Sequence, residues 1–152
     1  FDLRASFTFE AGHEVYNDTK RFLMLYATFG MHEDALNRWQ EPGDQTDVPR
    51  ATFGDAIDNS TRTSTRFLED GSYLRFRNLS FGYTLPGDLT RQFGVDRLRL
   101  YFQGSNLWTS EKLSIGDPEG STAGATNVLD RGVLFFTPPQ QRTFTGGVQL
   151  QF

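Results

Sequence analysis

The sequence predicts an all-β chain: four long antiparallel strands, joined by connections that alternate long, short and long, forming part of a transmembrane barrel. Three observations carry that expectation. The first is the stretch Glu69–Pro86, EDGSYLRFRNLSFGYTLP, which opens on an Asp70-Gly71 turn and stops at Pro86. From Leu79 onward, Leu79, Phe81, Tyr83 and Leu85 alternate with Ser80, Gly82 and Thr84, the period of two that marks a strand. About fifteen residues at roughly 3.3 Å each reach about 50 Å, against a usual strand of about 5–6 residues. Tilted, such a strand crosses the apolar band of an outer membrane with residues to spare. The second observation is that all six prolines (42, 49, 86, 118, 138 and 139) fall outside the expected strands, as a hydrogen-bonded ladder requires. The third is the long, short, long alternation itself, the pattern of long extracellular loops and short periplasmic turns.

Composition bounds the reading without deciding it. The 152 residues suit one domain, and no run approaches the eighteen or so apolar residues of a membrane helix. A barrel dilutes its lipid-facing residues one in two with polar neighbours, so a negative mean hydropathy fits a barrel as well as a soluble domain. The absence of cysteine excludes disulfide frameworks and thiolate metal sites. A net charge of −4 is a poor electrostatic match for nucleic acid. The first residue is Phe1, already inside an alternating run, and no signal peptide is visible; the chain is expected to be a C-terminal portion of something longer.

The elements follow in order. Residues 1–10 alternate throughout, with Phe1, Leu3, Ala5, Phe7 and Phe9 on one face and Asp2, Arg4, Ser6, Thr8 and Glu10 on the other. Residues 11–65 form a long loop in which Asp18 is the expected N-cap of a short helix through Phe22, Leu23, Leu25, Tyr26 and Phe29. Gly30 separates this from a second short helix near Leu36 and Trp39. The second strand is expected over 66–85, followed by a short connection with a helical turn at Leu89–Phe93. The third, 97–109, sets Leu98, Leu100 and Phe102 against Arg99, Tyr101 and Gln103. Residues 110–140 form a second long loop. The last strand, 141–152, sets Phe144, Gly146, Val148, Leu150 and Phe152 against Thr143, Thr145, Gly147, Gln149 and Gln151. Four strands cannot close a barrel and would leave bare edges, so the remaining strands are expected from sequence upstream.

At this point the residues resemble a known family. RFLEDGSYLRFRNLSFGYTLP (66–86), RLRLYFQGSNLWTSEK (97–112), the Gly116-Asp117-Pro118-Glu119 turn and the closing RTFTGGVQLQF (142–152) are similar to the late barrel of SusC/RagA-type TonB-dependent outer-membrane transporters of the Bacteroidota. Val15-Tyr16-Asn17, Asn37-Arg38-Trp39 and Val48-Pro49-Arg50 fall where that family places similar groups, so the likeness covers nearly the whole chain. It implies a barrel of about 22 strands with an N-terminal plug. It also implies import of glycans or peptides driven by TonB–ExbB–ExbD, and a SusD-type surface lipoprotein as a lid on the extracellular loops. The plug and the TonB-contacting segment are absent from these residues. Phe152 resembles the terminal aromatic that outer-membrane proteins present to their assembly machinery.

In a barrel, Phe7, Leu79, Phe81, Tyr83, Leu98, Leu100, Phe102, Val148 and Leu150 face lipid. Asp2, Arg4, Glu10, Arg99, Tyr101, Gln103 and Gln149 then line the lumen, where Tyr101 offers an aromatic face for a sugar or peptide to stack on. Tyr73, Phe76, Trp108, Phe135 and Phe136, near strand ends, suit interfacial girdles or loop anchors. Phe22, Tyr26, Phe29 and Trp39, if exposed together, form an apolar patch, and through the resemblance a docking site for the lid lipoprotein. His13-Glu14 and His32-Glu33 do not continue into a zinc spacing, and no nucleophile elbow is present, so no metal site, cofactor or enzyme is expected. Asp55, Asp58 and Asn59, or Asp117 and Glu119, carry calcium-type oxygens without a complete loop motif and read as acidic turns. Gly146-Gly147 reads as relief of crowding beside another element. The competing reading from the residues is a soluble β-sandwich that binds carbohydrate.

Overall fold

A computed structural model of the chain describes residues 1–26, 30–56, 60–120 and 132–152. In chain order its elements are β1 (Asp2–Glu10), β2 (Glu14–Asn17), α1 (Asp18–Leu23), β3 (Leu68–Asp70) and β4 (Tyr73–Thr84). There follow α2 (Gly87–Thr90), β5 (Arg97–Glu111), β6 (Val133–Leu134) and β7 (Thr143–Gln151). Contacts divide these into a sheet unit (Phe1–Ala11, Ser72–Glu111, Gln140–Phe152) and a loop unit (Gly12–Gly71, Lys112–Pro139).

The sheet unit is a four-stranded antiparallel sheet in the order β1-β4-β5-β7. Directly paired residues lie on the same face, so the register fixes the faces. Leu3, Phe81, Phe102 and Gly146 form one row, and Tyr83, Leu100 and Val148 another, on the apolar side. Arg4, Ser80, Gln103 and Thr145 form a row on the opposite side, as do Asp2, Gly82, Tyr101 and Gly147. The outer edges of β1 and β7 have no strand partner among the described residues.

The phase of β4 is not constant. Ser6 pairs with Asn78 but the next residue, Phe7, pairs with Phe76, so Arg77 is an extra residue on β4. Against β5 the shift recurs: Asn78 faces Ser105 and Phe76 faces Trp108, with Asn106 held at φ 52° in between. These are β-bulges, and they do a specific job. Leu74 and Phe76 sit on even positions and Leu79, Phe81 and Tyr83 on odd ones; the inserted Arg77 brings both sets onto one face. Phe7 and Phe76 stack there, ring centroids 4.5 Å apart. The sequence signal for the bulge is this change of phase between Phe76 and Leu79.

Sequence expectation and structure differ at the start of this strand. The run from residue 66 is not one strand: β3 and β4 are separate, and β3 pairs with β2 in the loop unit's own small sheet, ordered β3-β2-β6. Gly71 marks the break. Its N–H donates to the His13 carbonyl at 3.0 Å, and a Cβ there would overlap the His13 ring and Val15 Cγ1. The rest of the loop unit folds around Met24, Tyr26, Ala35, Val48 and Phe67, all buried, with Tyr16 and Ala51 packed against them. The second short helix of the expectation is a 3-10 turn over Glu33–Asn37. The N-cap of α1 is Asn17 rather than Asp18, its side chain accepting from Lys20 N–H at 3.0 Å.

Deletion of Arg77 is expected to throw Leu74 and Phe76 onto the face opposite Leu79 and Phe81, because a one-residue slip reverses every side chain beyond it. Arg77→Ala keeps the residue count and is expected to fold. The yield of folded, protease-resistant full-length protein from the two variants checks this, and equal yields would count against the bulge's role.

Candidate functional site

On the polar face of the sheet the row Asp2–Gly82–Tyr101–Gly147 has a particular build. Arg99 Nη2 donates to Asp2 Oδ2 at 2.8 Å, reaching across β4, and the pair passes directly over Gly82, where a Cβ would overlap both Arg99 Nη2 and Asp2 Oδ1. Tyr101 lies over Gly147 in the same manner, its ring occupying the place of the missing side chain. Both glycines thus make room for a larger side chain from β5. Nearby, Asn78 Nδ2 donates to Ser6 Oγ and Ser105 Oγ donates to Asn78 Oδ1, a polar rung across three strands at the level of the bulge. The strands carry Arg4, Arg75, Arg77, Arg97 and Arg99 against Asp2, Glu10 and Glu111, so this face is net basic in a chain of charge −4.

The loop unit is organised around one carboxylate. Glu69 on β3 accepts from Asn17 Nδ2 (3.0 Å), Lys20 Nζ (3.0 Å), Ser114 N–H (3.0 Å) and Ser114 Oγ (2.6 Å). Asn17, fully buried, also donates to the Ile115 carbonyl at 2.9 Å, and Lys20 forms a second ion pair with Asp34 at 2.8 Å. Burial alone would push the Glu69 carboxyl's pKa up. The hydrogen bonds from Ser114, Asn17 and Lys20 outweigh it and hold the group below the ordinary glutamate range. For Lys20 burial works downward, and the bonds to Asp34 and Glu69 outweigh it, raising the ammonium above its ordinary value. Thr19 ties in the second long loop: its hydroxyl donates to the Leu134 carbonyl and accepts from Phe136 N–H at 2.6 Å.

That tie gathers an aromatic cluster. Phe22 meets Phe135 and Phe136 edge-on at centroid distances of 5.9 and 5.6 Å, and Phe135 meets Phe136 at 4.8 Å. The three remain between 37% and 53% exposed, so the cluster presents an apolar surface.

The comparisons with known proteins agree with this architecture. No family model matches the chain. The TonB-dependent receptor P3 of Formosa agariphila is 34% identical over 155 residues, covering all of this chain and 15% of the receptor's length. The TonB-dependent receptor P26 of the same organism is 30% identical, covering 99% of this chain and 16% of its own length. Among solved structures, the RagAB peptide transporter matches at 30% identity with a TM-score of 0.74, over 99% of this chain and 16% of that one. The RagAB peptide importer in its 'open-open' state matches at 29% with a TM-score of 0.75. Over its whole length the chain is similar to a segment of TonB-dependent receptors and of the RagAB transporter structures, a SusC/RagA-type likeness. It spans only about a seventh of the length of these relatives, which are receptors and transporters rather than enzymes.

The residues named from sequence separate by face. Phe7, Leu79, Phe81, Tyr83, Leu98, Leu100, Phe102, Val148 and Leu150 share the apolar face. Asp2, Arg4, Glu10, Arg99, Tyr101, Gln103 and Gln149 share the polar one. Phe76 and Trp108 pair on the apolar face, whereas Tyr73, paired with Glu10 and Glu111, is on the polar one and does not suit a lipid girdle. The aromatic patch of the long loop needs correction. Tyr26 is 9% exposed, packed in the loop core with its hydroxyl donating to the Pro49 carbonyl, and so cannot join an exposed patch. Phe29 lies outside the described residues. Trp39 is half-buried, and Phe22's ring partners are Phe135 and Phe136 instead. Glu69 was missed as a functional residue; its one sequence signal is an acidic residue beside an apolar run at a strand start. The Asp55 side chain, Asp58 and Asn59 lie outside the described residues, while Asp117 Oδ1 accepts from Glu119 N–H in a turn.

The Glu69 hub makes a pH prediction. A carboxyl whose folded pKa lies below its unfolded value stabilises fully above the unfolded value, and that contribution is lost as pH falls through the folded one. The raised Lys20 contributes below its unfolded value and loses its contribution as pH rises through the folded one. Hydrogen-exchange protection across Asn17–Lys20 in the full-length receptor is therefore expected to hold between about pH 5 and 9 and to fall on acidification below that window. Glu69→Gln should lower protection at neutral pH and abolish the acid dependence, and a variant that kept both would exclude the hub.

Proposed function

We propose that this chain supplies barrel wall and extracellular loops to an outer-membrane, TonB-dependent importer of oligomeric nutrients, peptides or glycans, within a SusCD-like complex. In this reading the four strands are consecutive staves of a multi-pass barrel of about 22 strands. The polypeptide outside these residues provides the plug and the contact to TonB–ExbB–ExbD. The observation that carries the proposal is the two-faced sheet, whose outer edges have no strand partner among the described residues. Its apolar face is continuous through the bulge, and Phe81 and Leu100 at its centre are 41% and 44% exposed. A soluble sandwich would bury those residues against a second layer; hydrocarbon accepts them as they are. The peptide alternative for the cargo draws support from the RagAB structures, which are those of a peptide importer. No helix among the described residues is long and apolar enough to cross a membrane, which leaves crossing by strands open.

The test of facing is by charge. Phe81→Arg or Leu100→Arg in the full-length protein is expected to impair assembly, since Arg on the lipid face costs about 2–4 kcal/mol at midplane. Ser80→Arg and Gln103→Arg enter water and should be milder. Heat-modifiable electrophoretic mobility in isolated outer membranes reads the outcome, and equal defects in both sets would reject the lipid and lumen assignment.

The partner lipoprotein is part of the same reading. Phe22, Phe135 and Phe136 form a partly exposed aromatic cluster in the loop unit, and an apolar patch of this kind suits an interaction surface. The triple substitution to Ser, which leaves the Glu69 hub intact, is expected to lower co-purification of the lipoprotein from solubilised membranes several-fold. Retention at wild-type yield by an inserted barrel would leave the cluster as loop scaffold.

A further inference from the structure

At the end of the sheet nearest the β4–β5 connection, the register sets Arg97 opposite Gln151 and Arg99 opposite Gln149 on the polar face. These four side chains, with Leu150, line a groove of about 350 Å3. Two guanidinium forks and two amides crowd the groove with N–H donors, and no carboxylate lines it. Asp2 engages Arg99 through one nitrogen. Arg97 is exposed and has no ion-pair partner among the described residues. Across β4, Asp2 and Gly82 fix where the Arg99 guanidinium lies, so half of the donor set is held in place before anything binds. A neighbouring strand added to the free edge of β7 would border the groove without covering the face.

We propose that this groove is an oxyanion clamp, binding a carboxylate or a tetrahedral oxyanion through Arg97 and Arg99, with Gln149 and Gln151 completing the ring of donors. The planar fork of arginine matches such groups bidentately, which lysine does not, and all the cations of the sheet strands are arginines. The oxyanion has two sources, a carboxylate elsewhere in the same polypeptide or an anionic solute in the barrel. The clamp is a property of the sheet face, and its test does not depend on transport.

The test uses full-length receptor in detergent, with inorganic phosphate as the probe against chloride at matched ionic strength. Arg4→Gln is the control, since Arg4 shares the face but pairs with Ser80, outside the groove. If the source is a solute, phosphate raises the wild-type Tm saturably, and Arg97→Gln weakens that response about tenfold or more while Arg4→Gln leaves it unchanged. If the source is intramolecular, phosphate leaves the wild-type Tm unmoved, Arg97→Gln lowers it, and Arg97→Glu lowers it further through repulsion, again without parallel in Arg4→Gln. Variants at 97 and 4 that match each other in both Tm and phosphate response would overturn the clamp, as would a phosphate response that Arg97→Gln does not diminish.

Discussion

The sheet depends on β4 being hydrogen-bonded along both edges while carrying an apolar side chain on one face at every level. A strand that is paired on both sides cannot rotate a side chain to the other face; only a change in residue count can do that. Arg77 is that change. Without it the strand would present Leu74 and Phe76 to one side and Leu79, Phe81 and Tyr83 to the other, and neither face would be uniformly apolar. With it, the stacking of Phe7 on Phe76 and the pairing of Phe76 with Trp108 continue the surface that Leu79 and Phe81 begin. The compensating shift at Asn106 carries the same correction into β5.

The loop unit solves a different problem. Long connections carry backbone and side-chain polar groups that need partners wherever they become buried. Here one carboxylate on β3 collects donors from two other stretches: Asn17 and Lys20 at the start of α1, and Ser114 in the second long loop. Desolvating a charge is unfavourable, and Glu69 stays ionised because four donors, one of them the Lys20 ammonium, surround it. The result is a loop region with its own small sheet and apolar core rather than an open tether, and its exposed aromatics are presented by an ordered framework. Local order of this kind suits loops that take part in recognition.

The glycines of the polar face join the two themes. Gly82 and Gly147 lie in strands, where glycine is ordinarily unfavourable. Each leaves room for a larger neighbour: the Arg99–Asp2 pair over one, the end of the Tyr101 side chain over the other. The guanidinium and the phenol each fill the space that a side chain at the glycine would take.

Period-two alternation determined, from the sequence alone, which residues of each strand share a face, because a strand's geometry leaves side chains only two directions. The absence of proline from the strands and the lengths of the connections determined that neighbouring strands run antiparallel in the order found. Motif spacing was enough for the family resemblance. What lay beyond the sequence were the effects of residues far apart in the chain. The break at Gly71 follows from the approach of His13 and Val15. The burial of Tyr26 follows from Phe67 and Val48 closing over it, and the pairing of Phe22 with Phe135 and Phe136 follows from Thr19 bonding to the second loop. Glu69 reads as an unremarkable acidic residue until Asn17, Lys20 and Ser114 converge on it. Local patterning fixes direction along a strand, but partners far apart in the chain are chosen only when it has folded.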